Sequence, residues 1–144
     1  MKKLLTILCV LSLTGCVKNE DFKQTCTKTV KSSTINDNTK TYVVYDAEDN
    51  IKNAVITKTY TALNENGEKL IKNIKESSIS YNKKYASNNN IKITVSKDKV
   101  DTYEIKYYLD VLKLKENTLE EFDIKKNSIK FFNKMREENI ECRR

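Results

Sequence analysis

Histidine, tryptophan and proline are absent from the 144-residue chain, and glycine occurs only twice. Without histidine there is no imidazole general base and no His-ligated metal centre. Two glycines cannot build the glycine-rich loop that brings backbone amides against a phosphate. A hydrolase would need a Ser–Lys pair, and no GxSxG turn is present. Carboxylates are then the candidate catalytic groups for a surface enzyme. At 38% hydrophobic and 33% charged residues, the length accommodates one domain with a modest core.

Lysine supplies 24 of the 27 basic residues, and the net charge is +7. Lysine, asparagine and isoleucine share A/T-rich codons, so a low-G+C bacterial genome accounts for much of that bias without a functional cause. Tyrosine and lysine alternate in places, but acidic residues are mixed in throughout, which argues against a nucleic-acid partner.

The first sixteen residues, MKKLLTILCVLSLTGC, place two lysines before an apolar run from Leu4 to Leu13 and end in small residues. This is the layout of a secretory signal peptide. The run is about ten residues, whereas a membrane span needs roughly 20. Leu13-Thr14-Gly15-Cys16 resembles the lipobox of bacterial lipoproteins. That resemblance implies diacylglycerol transfer to the Cys16 thiol and cleavage between Gly15 and Cys16. A thiol is required there because a thioether must form, and small neighbours let lipid and protease reach the backbone. Two or three acyl chains, at about 0.8 kcal/mol per buried methylene, hold a protein at a bilayer where one chain is marginal. The expected organisation is a removed leader over 1–15, a lipidated tether over 16–23 and a single domain over 24–144. The mature chain would have 129 residues, with 25 basic against 20 acidic side chains.

Four cysteines then resolve into separate roles. Cys9 leaves with the leader and Cys16 is consumed by lipid, so Cys26 and Cys142 remain at the two ends of the folded region. In an exported chain such a pair reads as a disulfide, although two separate thiols satisfy the same count. Neither cysteine has an imidazole partner that would make it a nucleophile.

Thr25–Thr34, Thr39–Ala47 and Ile51–Leu63 are rich in Thr, Val and Tyr and predict three strands. Asn36-Asp37-Asn38 and Glu48-Asp49-Asn50 are the expected turns. From Glu68 to Ala86 the apolar period becomes helical, with Leu70, Ile71, Ile74, Tyr81 and Tyr85. Ile91–Val95 and Tyr103–Val111 alternate strictly and predict two more strands around a turn at Lys97-Asp98-Lys99. Thr118–Glu121 resembles a capping box opening a short helix. Asn127 or Ser128 is placed to cap a last helix with Ile129, Phe132 and Met135 on one face. The order βββ-α-ββ-αα predicts an α+β fold, an antiparallel sheet of about five strands with helices on one face.

The LTGC lipobox, the threonine-rich first strand holding Cys26, the strand TYEIKYYLDVLKL and the ending IKFFNKMREENIECRR together resemble the YehR-like small bacterial lipoproteins. Such endings often carry glycine where this chain has Asn139-Ile140-Glu141, and Asn adopts the same left-handed cap. The resemblance implies the fold and the address, and no catalytic or binding residue.

Asp46-Ala47-Glu48-Asp49-Asn50 superficially suggests a calcium loop but lacks the glycine and glutamate an EF-hand requires, and it reads as a solvated turn. Glu120/Glu121 and Glu137/Glu138 read as helix surface. No metal or cofactor site is expected. Tyr42, Tyr60 or Tyr108 would form an aromatic platform for a peptide or glycan if they reach the solvent face. Alternation points Tyr108 away from Tyr103 and Tyr107, making Tyr108 the candidate ligand-surface residue. The expected function is a membrane-anchored, non-enzymatic binding domain with a protein, peptide or glycan partner. The alternative is a surface enzyme or glycan-processing factor that uses carboxylates alone.

Overall fold

The computed structural model describes residues 20–144, so the leader, Gly15 and Cys16 lie outside the described residues. β1 (Phe22–Lys31), β2 (Ile35–Tyr45) and β3 (Ile51–Ala62) form an antiparallel meander, and α1 (Glu65–Lys83) follows. β4 (Ile91–Asp98) pairs with β5 (Thr102–Asp110), and α2 (Glu116–Glu121), α3 (Ser128–Glu137) and a short β6 (Glu141–Arg143) complete the chain. The sheet order is β4-β5-β3-β2-β1-β6, antiparallel throughout. This is the α+β fold that the pattern predicts, with β6 as a sixth strand.

Period-two alternation decides which side of the sheet is buried. Val43, Ala54, Leu109 and Ile91 are register neighbours across four strands, and all are buried. Ile71, Leu119 and Phe131 from the three helices belong to the same buried cluster, so the helices cover one face and leave the other open.

Several local signals were answered differently from expectation. Asn36-Asp37-Asn38 lies inside β2 and is no turn. The reversal is made by Ser32–Thr34, because the Ser32 hydroxyl accepts from the N–H groups of Thr34 (3.2 Å) and Ile35 (3.0 Å) and donates to the Ile35 carbonyl. One side chain satisfies that corner. β4 likewise runs on to Asp98 through a bulge between Val95 and Lys97, which moves the turn to Lys99–Asp101, closed by Lys99 N–H on the Thr102 carbonyl.

α1 begins at Glu65, three residues early, because Asn64 caps it by accepting from Gly67 N–H at 3.1 Å. A Cβ on Gly67 would stand 2.1 Å from the Thr34 carbonyl oxygen, so glycine is what lets the helix start lie against the β1–β2 turn. Of its expected stripe, Ile71 and Tyr85 are buried, while Leu70 and Tyr81 are exposed.

α2 starts at Glu116 with no side-chain cap, and Thr118 lies within it. α3 is capped by Asn127, whose side chain accepts from Lys130 N–H at 3.0 Å. Its buried face is Ser128, Phe131 and Met135, with Ile129 exposed and Phe132 only half-buried. Ser128 sets that rotation, since its N–H reaches the Asp49 carbonyl and its hydroxyl the Asp49 carboxylate, both at 2.8 Å. The Asp46 carboxylate accepts the Glu48 and Asn50 N–H groups at 3.0 and 2.9 Å, so it serves the turn as an Asx cap.

Both α2 and α3 end in left-handed residues, Asp123 (φ 60°) and Asn139 (φ 56°). Ile124 N–H bonds to the Leu119 carbonyl at 2.9 Å and Ile140 N–H to the Met135 carbonyl at 2.8 Å. These are paired Schellman closures. After the second, the chain turns directly into β6, where Cys142 stands opposite Cys26 and the two sulfurs are bonded.

Candidate functional site

The helix-free face of the sheet carries the residue singled out from sequence. Tyr42, Val55, Tyr108 and Lys92 form one row across β2, β3, β5 and β4. Tyr108 is 39% exposed, whereas Tyr103 and Tyr107 are 3% and 4% exposed, so the alternation argument placed it correctly. The Lys92 ammonium lies 5.9 Å from the centre of its ring. Tyr60 does not join this row. It faces the helices and stacks on Tyr103 at 6.5 Å, and burial pushes its hydroxyl up to about 12. Glu104 is the best-satisfied acid on the open face, bound by Ser96 (2.6 Å), Thr59 (3.0 Å) and Lys97 (3.3 Å). The Ser96 hydrogen bond leads the groups that hold its carboxyl down at about 2. This face is mixed in charge and carries two shallow, open hollows, one beside Lys92 and Tyr108 and one around Glu104 and Lys106.

A more enclosed site lies on the other side. A cleft of about 230 Å³ opens between β1–β3 and the α2–α3 end of the molecule. Its floor carries Lys28 from β1, Asp37, Thr39 and Thr41 from β2, and Ile56 and Lys58 from β3. Phe122, Met135 and Ile140 form the apolar wall. The disulfide contributes Cys26 to the same lining, so the bond that fixes β6 also fixes this edge of the cleft. Phe122 packs against Tyr85 (5.1 Å) and Tyr107 (5.3 Å), which holds the wall in place.

Four carboxylates border the cleft, and they are not equivalent. Glu121 pairs with Lys84 at 2.5 Å and accepts the Tyr85 hydroxyl, and these contacts hold its carboxyl below the ordinary value. Asp123 pairs with Lys134 at 2.6 Å. Glu138 pairs with Lys28 at 3.4 Å and Lys134 at 3.8 Å. Asp37 differs, because its Oδ1 is buried with no hydrogen-bond partner. Burial lifts the Asp37 carboxyl above its ordinary value, opposed by the charges of Lys58 and Lys28. A buried oxygen without a donor carries a desolvation cost of about 1–3 kcal/mol.

Sequence reasoning missed Asp37 and Lys58 because it put Asp37 in a turn. Once the strand is extended through Asn36–Asn38, parity alone turns Asp37, Thr39 and Thr41 to the covered side, and polar residues on a covered side are the signal of a site.

No family model matches the chain, and no curated protein matches it. Among solved structures, one described as the "NMR structure of the protein from Streptococcus pneumoniae TIGR4" is similar with a TM-score of 0.53 and 10% identity, covering 99% of this chain and 96% of that one. At that identity the likeness bears on the fold alone.

Proposed function

We propose that the chain is a lipid-anchored bacterial lipoprotein, attached through Cys16, that holds a small non-enzymatic binding domain outside the cytoplasmic membrane. The Cys26–Cys142 bond carries this reading, because such bonds persist where the environment is oxidising, and the leader and lipobox-like Leu13–Cys16 lead to such a place. The similarity to YehR-like lipoproteins supports the same address. Binding is favoured over catalysis by the state of the cleft. Carboxylate hydrolysis needs two carboxyls with separate duties, and Glu121, Asp123 and Glu138 are each engaged by lysine.

Fractionation of cells expressing the native chain and Cys16→Ser tests the address. The native chain is expected with the membranes and Cys16→Ser in the soluble or secreted fraction. A Cys16→Ser chain that stays with the membranes overturns the anchor.

A further inference from the structure

We propose that the cleft between β1–β3 and the α2–α3 end binds a zwitterionic ligand the size of one amino acid, an α-amino acid with an apolar side chain, its ammonium on Asp37 and its carboxylate on Lys58. This rests on the binding reading for its role in the cell, while the site stands on its own geometry.

Thr39 is the register partner of Lys58 and Asp37 that of Tyr60, so Asp37 and Lys58 are diagonal neighbours on one face, roughly 7–8 Å apart at the backbone. An α-amino acid head group with a hydrogen bond at either end bridges such a spacing. Among the described residues Lys58 is in no ion pair, and the Asp37 Oδ1 has no donor. That inner oxygen has no accessible surface, so a ligand in the cleft meets the outer oxygen of the same half-buried carboxylate. The floor thus offers one charge of each sign that no direct ion pair engages.

A purely cationic ligand would be repelled by Lys58 and Lys28, and a purely anionic one by Asp37 and Glu138. A ligand carrying both signs satisfies both. Ile56, Phe122 and Met135 in the same lining supply the apolar contact. The volume of about 230 Å³ falls below the roughly 300–1,000 Å³ of sites for drug-sized ligands, which selects a molecule of single-amino-acid size.

Calorimetric titration of the full chain, disulfide intact and in non-ionic detergent, tests this with L-leucine and L-phenylalanine. Saturable binding is expected, at least about tenfold weaker in Asp37→Asn and in Lys58→Met and unchanged in Tyr108→Ala. On the native chain, 3-methylbutylamine and 4-methylpentanoate, which each keep one charge of leucine, are expected to bind at least about tenfold more weakly. These arms need no variant to fold. O-Phosphoethanolamine, a lipid-headgroup fragment with an ammonium and a phosphate but no apolar side chain, is expected to bind more weakly than leucine. The proposal is overturned by no binding of either amino acid at about 10 mM, by equal affinity of the single-charge analogues, by undiminished affinity in both cleft variants, or by preference for O-phosphoethanolamine. None of those results touches the fractionation of Cys16→Ser, so the ligand and the address fail separately.

Discussion

Cys26 on β1 and Cys142 on β6 face one another as register partners, and their bond spans 116 residues of sequence. It secures a strand of three residues that backbone pairing alone would hold weakly. In the chain-entropy account, a loop of this length contributes about 4–5 kcal/mol, comparable with the whole stability of a small domain. Reductant, or Cys142→Ala, is therefore expected to lower the urea midpoint by most of its value. An unchanged midpoint on reduction contradicts this.

Asp123 and Asn139 both hold left-handed backbone at helix ends, in a chain nearly without glycine. Asn and Asp adopt this conformation at less cost than other L-residues, and glycine at least of all. Asn139→Ala is expected to destabilise by about 1 kcal/mol, and Asn139→Gly to be neutral or slightly stabilising. Thermal melts of the two variants check the order, and Ala at or above the native melting temperature contradicts it.

Elements whose signal is periodic were legible from sequence, and single side-chain hydrogen bonds only in part: the Asn127 cap and the Glu48-Asp49-Asn50 turn were found, the Ser32 corner and the Asn64 cap were not. Ile91–Val95 and Tyr103–Val111 alternate over enough residues to fix both strand and face. The β1–β2 turn was misplaced because asparagine and aspartate carry turn propensity whether or not they use it. Ser32, a weaker turn former, took the corner by satisfying three backbone groups at once. That displacement hid the cleft, since Asp37 faces the helices only if β2 begins at Ile35. β6 was missed for another reason, as three residues are too few to show a period. Cysteine arithmetic still found the pairing that β6 makes.

Tyr107 and Tyr108 are adjacent in sequence and lie on opposite faces of β5. Tyr107 is buried and packs on Phe122 at 5.3 Å, and its burial holds the phenol in the neutral form. Tyr107→Ala is expected to cost about 3–5 kcal/mol, as for other large aromatics removed from a core. Tyr108→Ala is expected to stay within about 1 kcal/mol of the native stability. Chemical denaturation of both variants reads the difference, and similar losses contradict the assigned faces.

Glu104 contributes stability as an anion. Its folded-state value of about 2 lies below the ordinary 4.5, so its contribution is present above pH 4.5 and is lost as pH falls from there through about 2. The side chain is only 13% exposed, and the shift corresponds to roughly 2–3 kcal/mol after allowance for solvent screening. Glu104→Gln is expected to lose that amount at pH 7 and to flatten the acid limb of the stability–pH curve. An unchanged acid limb contradicts the role given to Ser96, Thr59 and Lys97.

Asp37 has the opposite sign. Its folded-state value is raised, so its favourable contribution belongs to the neutral form, is complete below pH 3.8, and is lost as pH rises through the elevated value. At pH 7 the fold carries an ionised, poorly solvated carboxylate, with Lys28 and Lys58 offsetting part of the cost. Asp37→Asn keeps the shape and removes the charge. It is expected to match or exceed the native stability at pH 7 by about 0.5–1 kcal/mol, with its advantage shrinking as pH falls towards 3.8. Stability–pH curves of the two proteins check this directly. A structural carboxylate would show the reverse, a variant less stable at pH 7 than the native chain. A carboxylate that costs stability at pH 7 and lines the cleft fits the ligand-binding role proposed for Asp37.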